Sequence, residues 1–314
     1  MVGLRDARLC CIAGELAVVD HIVERVAARL RDVPGVTGVV LGGSRALGST
    51  SPEADIDVGV YYRAAGRPDV EELRRAATEL DDRGEPGGFA GYGDWGPWIN
   101  GGAWLVVGGQ RTDLLWREIE LFEEVRDECS RGVVRIAYQP GHPHCFTSAI
   151  YLGELHHGVV LADADGAMER LKASTSPYPE PLAEELTKRF GWEADFSLMT
   201  ARSSAARGDV AYVTACLYRS LASMVQALFA ANRAYLLNEK GSLERAETLP
   251  ECPPEFRARA EAVLAEIGRE PAELERALRG MTELEREVAD IAARPLRGPS
   301  PTEENRPSVQ EKRG

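Results

Sequence analysis

Positive charge is in short supply in this chain: 37 basic residues face 50 acidic ones, for a net charge of −13. A protein that grips a nucleic-acid backbone needs a basic face, so no nucleic-acid partner is expected. The surplus of acid suits a cationic small molecule, and it equally serves plain solubility. Cysteine is sparse too. Cys10, Cys11, Cys129, Cys145, Cys216 and Cys252 form no CxxC pair and no regular framework, which fits a reduced, cytoplasmic setting. The start carries Arg5, Asp6 and Arg8 before an interrupted apolar run, unlike a secretory leader. No apolar run is read as a membrane span, no membrane partner is expected, and no internal repeat stands out. His142, His144, Cys145, His156 and His157 lack any metal-ligand spacing, so loop-capping and helix-surface roles are expected for them.

At 314 residues the chain has room for two domains with cores of their own. Helical spacing of Leu16, Val19, Ile22, Val23, Val26 and Leu30 predicts a helix over 7–31, ended by Pro34-Gly35. Val36 to Leu41 reads as a buried strand, Ala54 to Tyr62 as a second strand, and Val70 to Leu80 as a helix after Pro68. Gly84 to Gly96, with Phe89, Tyr92 and Trp95 interleaved, reads as a loop. Trp98 to Val107 and Gln110 to Trp116 read as strands around a Gly108-Gly109 turn. Arg117 to Cys129 follows as a helix and Val133 to Tyr138 as a short strand.

Pro140, Gly141 and Pro143 mark the expected boundary between a domain over 1–140 and a helical domain over 141–293. Helices are read over 145–161, 166–173, 181–191, 192–207, 209–235, 254–267 and 271–293. Asp209 is the expected N-cap of a long apolar run placed at the centre of a bundle. Residues 294–314, rich in Pro, Glu, Arg and Ser, are expected to be a disordered tail. The fold class is therefore α/β (α+β): a small mixed sheet followed by an α-helical bundle.

The chemistry is concentrated between Val39 and Tyr62. Residues two apart on a strand share a face, so Asp55 and Asp57 project side by side while Ile56 and Val58 turn away. Like charges held that close are kept most readily when a cation neutralises both. Ahead of them, Gly42, Gly43 and Ser44 form a break where backbone amides can point outward. Arg45 to Gly48 reads as the start of a short helix whose amides attract phosphate. Gly-Gly-Ser alone is usually a turn, and Asp-x-Asp alone is usually a solvated edge strand. At this spacing, flanked by strands, the two describe a metal-dependent nucleotide site.

Gly43, Ser44 and Asp55-Ile56-Asp57 resemble the signature of the nucleotidyltransferase superfamily related to DNA polymerase beta. The flanking sequence is most similar to antibiotic (aminoglycoside or lincosamide) nucleotidyltransferases and their uncharacterised bacterial relatives. By motif the resemblance covers Val36 to about Leu115; over the helical part it is one of layout. Ala54 departs from it, since the family commonly has Ser there, and a lost hydrogen bond rather than lost activity is expected. The resemblance implies a third carboxylate on a neighbouring strand, matched by Asp113, although an acid in an apolar strand also suits a structural ion pair. It implies two Mg²⁺ on Asp55, Asp57 and Asp113, with ATP or another NTP as co-substrate on Gly43, Ser44 and Arg45. Lys240 is the candidate for the basic residue that such relatives supply from the helical domain.

The reaction so implied moves a nucleoside monophosphate to an acceptor hydroxyl and releases pyrophosphate. The acceptor is expected to be small and cationic, an aminoglycoside-type antibiotic for instance, which would make the role one of resistance. Glu154, Asp94 and Glu118 are the acids expected around it, and Glu154 reads equally as half of a buried ion pair. Of Trp95, Trp98, Trp104 and Trp116, at most one is expected to meet a ligand. Two alternatives stay open: a protein-modifying nucleotidyltransferase that adenylylates a toxin partner, and a non-catalytic nucleotide sensor. The first class is usually a short single domain, and the second is usually marked by a lost carboxylate.

Overall fold

The computed structural model describes residues 18–48, 51 and 54–294. The start of the helix expected over 7–31 and all but Arg294 of the expected tail lie outside the described residues. What is described of the first helix, α1 (18–31), buries Val19, Ile22, Val23, Val26 and Leu30, as the apolar period predicts. There follow β1 (Val36–Leu41), α2 (Gly43–Ala46), β2 (Ile56–Tyr62), α3 (Val70–Leu80), β3 (Gly87–Ala90), α4 (Gly96–Ile99), β4 (Gly102–Val107) and β5 (Gln110–Glu118). Next come α5 (Ile119–Ser130), the short pair β6 (Ile136–Ala137) and β7 (Phe146–Thr147), α6 (Ile150–His157), β8 (Val159–Asp163) and α7 (Ala167–Ala173). Five helices complete the order: α8 (Glu180–Ala205), α9 (Val210–Ala231), α10 (Ser242–Ala246), α11 (Phe256–Ala265) and α12 (Pro271–Ala292).

The large sheet runs β3-β4-β5-β2-β1-β8. β2 and β5 pair in parallel, and every other pairing in it is antiparallel. Strand alternation divides the side chains between two faces. Val39, Ile56, Val58, Val60, Leu105, Leu114 and Trp116 form a core with α1 and α3 on one face. On the opposite face the strands behave differently along their length. At one end Val40 and Tyr61 join the core of the helical half, with Ile119, Tyr151 and Leu155. At the other end that face presents Asp57 and Asp113.

Several expected boundaries move. Trp98 belongs to α4, and Asn100 (φ +70) with Gly101 delays β4 to Gly102. β5 runs on through Arg117 and Glu118, so the next helix begins at Ile119. The helix expected over 145–161 is instead β7, α6 and β8. β8 lies beyond the expected boundary at 140 yet extends the sheet, pairing Gly38 with Asp163 and Val40 with Val160. The helices expected over 181–191 and 192–207 are one, α8, whose Leu186, Phe190, Ala194, Leu198 and Ala201 keep a single buried stripe. Gly191 interrupts nothing.

α9 is the central helix, and Asp209 caps it as expected by accepting from the Tyr212 amide at 3.2 Å. It is also long and apolar enough to cross a membrane by length and composition, contrary to the expectation that no segment would be. Within the protein 78% of that window is buried, against α8, α11 and α12 among others.

One ion pair ties the sheet to the helical half. The Arg117 side chain, 2% exposed, donates from Nε to Glu154 Oε2 (2.9 Å) and from Nη2 to Glu154 Oε1 (3.0 Å). Its Nη1 donates to the Ile99 carbonyl at 3.1 Å. Removing one partner of a buried pair leaves a charge with nothing to offset its lost hydration. Glu154→Ala should therefore lower the unfolding free energy by about 3 kcal/mol in chemical denaturation. The double variant Arg117→Met, Glu154→Leu should recover most of that loss; a neutral Glu154→Ala would show that the pair does not tie the halves together.

Candidate active site

β1 ends where the chain must turn sharply beside β2, and the Gly42 amide donates to the Asp57 carbonyl at 2.8 Å. Gly43 follows with φ +61, a left-handed backbone that favours glycine. A Cβ on Gly43 would collide with the Asp57 carboxylate, so the side chain's absence is what lets that acid lie against the turn. Ser44 stands exposed on α2. This helix is a single turn of four residues, shorter than the dipole argument from sequence assumed. What it offers an anion is the first-turn amides, which have no acceptor four residues back.

Asp55 and Asp57 arrive on the strand that flanks this turn. The register then adds the third acid: Asp57 pairs with Asp113 directly across the parallel β2–β5 ladder. Three carboxylates on two adjacent strands repel one another, and part of the water around them is excluded. Burial, with Asp55 and then Glu154 nearby, raises the Asp57 carboxyl above its ordinary value, while Lys240 and Arg45 pull it down. Burial and the charges of Asp57 and Asp55 push Asp113 up to about 6.

The basic residues answer this acid unevenly. Arg111, two residues before Asp113 on the same face, places Nε 2.7 Å from Asp55 Oδ1. Arg45 was expected on phosphate; two of its guanidinium nitrogens donate to backbone. It donates from Nη2 to the Ala54 carbonyl (2.6 Å) and from Nε to the Asp55 carbonyl (3.2 Å), closing the loop that delivers Asp55. Lys240, exposed in the segment after α9, is near enough to lower Asp57. Its neighbour Glu239 holds that segment in place: His142 Nδ1 lies 3.2 Å from Oε2, and the His144 and Cys145 amides donate to Oε1 at 3.0 and 3.3 Å. His144 Nε2 in turn meets Glu193 Oε1 at 2.9 Å. His142 and His144 thus each meet a glutamate, while His156 and His157, expected on a helix surface, are partly buried.

The outer acids fare differently. Glu154 is the ion-pair partner of Arg117, and its neighbour Gly153 has no side chain because Tyr235 and Leu237 pack there. Asp94 caps its own turn, accepting from the Gly91 amide at 2.8 Å, next to Trp95. Glu118 is misplaced by the sequence reading. It stands five residues past Asp113 on the same strand, roughly 17 Å along it and on the other face. Trp98 and Trp116 are core residues, whereas Trp95 and Trp104 lie on the side of Asp113 away from Asp57. Sequence reasoning passed over Arg111, Arg117 and Glu239. For Arg111 the signal was its two-residue spacing from Asp113.

Among the described residues no three His, Cys, Asp or Glu side chains converge into a ready metal cage. The donor set nevertheless suits a hard divalent cation. Asp55, Asp57 and Asp113 offer oxygen alone, and such an ion would offset the burial and mutual repulsion that raise the Asp57 and Asp113 carboxyls.

Residues 22–85 match the family model of a nucleotidyltransferase domain, a span that runs from within α1 through the Gly-Ser turn, Asp55 and Asp57 to just past α3. Residues 146–240 match a domain of unknown function (DUF4037) that begins at β7 and ends on Lys240. No curated protein matches the chain. Among solved structures, a nucleotidyltransferase-like protein from Exiguobacterium sibiricum 255-15 is similar over 88% of this chain and 77% of that one. At 12% identity and a TM-score of 0.41 that likeness says nothing about chemistry.

The raised Asp113 carboxyl has a consequence for stability without metal. A carboxyl whose folded value lies above its unfolded value stabilises the fold at low pH, and that contribution is lost as pH climbs through about 6. In EDTA, Asp113→Asn should melt about 3 °C above wild type at pH 8, and the gap should shrink towards pH 5. A gap independent of pH would mean that Asp113 carries no such strain.

Proposed function

We propose, from the match of residues 22–85 to a nucleotidyltransferase domain, that the chain moves AMP from ATP to a hydroxyl of a small, cationic acceptor of the aminoglycoside type, with Mg²⁺. The observation that carries the reading is the register: Asp57 opposite Asp113, beside a turn that only a glycine lets approach the Asp57 carboxylate. Excess negative charge without a side-chain cage is what a nucleotide–metal complex would complete. Free, buried Cys129, Cys145 and Cys216 support a reduced, cytoplasmic setting.

Asp55, Asp57 and Asp113 would hold the metal, two ions in this reading, after Arg111 gives up Asp55. When bound, the metal supplies charge neutralisation on the phosphates and a lowered pKa for a hydroxyl beside it. The chain's own residues do the remaining work. Amides of the Gly43–Ser44 turn and the Ser44 hydroxyl hold the distal phosphates, and the Lys240 ammonium faces them from the helical half. The acceptor oxygen attacks the α-phosphorus, and the bond from that phosphorus to the bridging oxygen breaks as pyrophosphate leaves. The hydroxyl proton would go to Asp113, the acid that lies opposite Asp57 on the neighbouring strand. The net acid balance of −13 would draw in the cationic acceptor. A complete set of three acids favours this over a non-catalytic sensor, and the long helical half favours it over a short protein-modifying enzyme.

The test is pyrophosphate release and acceptor mass shift with ATP, Mg²⁺ and a panel of aminoglycosides and lincosamides. Asp57→Asn should cut turnover more than about a hundredfold while melting at or above the wild-type temperature. Full turnover by both Asp57→Asn and Asp55→Asn would place the chemistry elsewhere.

A further inference from the structure

We propose that the stacked indoles of Trp95 and Trp104 are the acceptor subsite, and that they take a saturated, amine-bearing ring by its C–H face, with the attacking hydroxyl directed at Asp113. This rests on the nucleotidyl-transfer reading above and names the site of its second substrate.

Position is the first argument. Trp104 pairs with Asp113 across the β4–β5 ladder, and side chains of paired residues share a face. Across the sheet the order is thus Trp104, Asp113, Asp57 and then the Gly43–Ser44 turn. In a phosphoryl displacement the attacking and leaving oxygens lie on opposite sides of the phosphorus. If the turn holds the leaving pyrophosphate, the acceptor arrives from the side of Asp113 where the indoles stand.

Construction is the second. Trp104 is 53% exposed, an unusual placement for a large apolar side chain beside a cluster of acids. It stacks on Trp95 at 5.2 Å between ring centroids and 22° between planes. Each indole is seated over a glycine. A Cβ on Gly88 (φ +59) would strike the Trp104 ring, and one on Gly102 would come against the ring of Trp95. The Trp95 turn is also braced. Its amide donates to the Asn100 carbonyl (3.0 Å), and the Asn100 side chain accepts from the Gly93 amide (2.8 Å) and donates to the Tyr62 hydroxyl (2.7 Å). Two rings held this rigidly can meet a ligand without first losing their own freedom.

Chemistry is the third. The face of an indole favours C–H groups and cations. Asp94, next to Trp95, and Asp113, beside Trp104, supply negative charge at either end of the pair. A hydroxylated ring with ammonium groups satisfies both features, and its hydroxyls project from the ring edge towards Asp113.

The experiment uses the full chain with Mg-ATP and kanamycin A as the probe. Trp104→Ala should raise the KM for kanamycin A about tenfold, with the KM for Mg-ATP moving less than about twofold. Trp104→Phe should recover most of the loss. Because Trp104 is largely exposed, the variants should melt with wild type, which separates a lost contact from a lost fold. An unchanged kanamycin KM in Trp104→Ala would overturn the proposal. So would a raised KM for ATP, which would put the nucleobase on the indoles, or transfer to a tyrosyl peptide in place of kanamycin. Failure of the parent reading looks different: wild type would release no pyrophosphate with any acceptor, and this inference would fall with it.

Discussion

The parallel pairing of β2 with β5 is the constraint on which the rest depends. It sets Asp57 against Asp113 on one face and, by alternation, Ile56, Val58, Leu114 and Trp116 on the other. The apolar face is fully buried under α1 and α3, so neither strand can slip or turn to ease the repulsion. A slip of one residue would exchange acids for core side chains on both faces at once. The hydrophobic core thus holds the charges together, and burial first, with mutual repulsion second, raises the Asp57 and Asp113 carboxyls. Such strain in a site is sustained only where the surrounding packing over-determines it.

The helical half completes this arrangement. Its last contribution, Lys240, whose charge lowers Asp57, stands in a segment fixed by Glu239, and Glu239 is fixed by His142 and the amides of residues 144 and 145. Arg117 and Glu154 join the far end of β5 to α6, and β8 adds its edge to β1. The matched nucleotidyltransferase span stops at residue 85, before Asp113, and the second matched span ends on Lys240. Neither span alone contains the whole set of charges. The candidate site draws residues from both matched spans and from β5 between them.

What could be read from the sequence was local. Alternation in Asp55-Ile56-Asp57 exposed the acid face, the run Val36 to Leu41 gave the strand before the turn, and an acid in the apolar strand after Gly108-Gly109 singled out Asp113. Each signal lies within about ten residues. Features set by long-range pairing were not legible. β8 is an ordinary apolar stretch until β1 supplies its partner, and Trp104 gains its place only from a register with Asp113. Glu118 was misjudged because the length of β5 carries it away from the site. That Arg45 also ties down the carbonyls of Ala54 and Asp55 could not be read beside the phosphate turn, because those carbonyls lie nine and ten residues on. The apolarity of α9, sufficient for a membrane span, is explained by burial on most of its sides.

The remaining question is why acids so poorly compensated are not locked shut by arginine. Arg111 sits on Asp55 at 2.7 Å, but its side chain is 71% exposed, and Asp55 is 30% exposed. Water screens the guanidinium end of this pair, although Asp55 Oδ1 is itself buried and accepts no hydrogen bond. Arg117, by contrast, is buried, makes a two-point contact with Glu154, and is out of reach of exchange. The chain therefore keeps its strong guanidinium pair behind the site and its weak one in front of it. A divalent ion, which neutralises more charge in less space than a guanidinium, can displace the weak pair without disturbing the strong one.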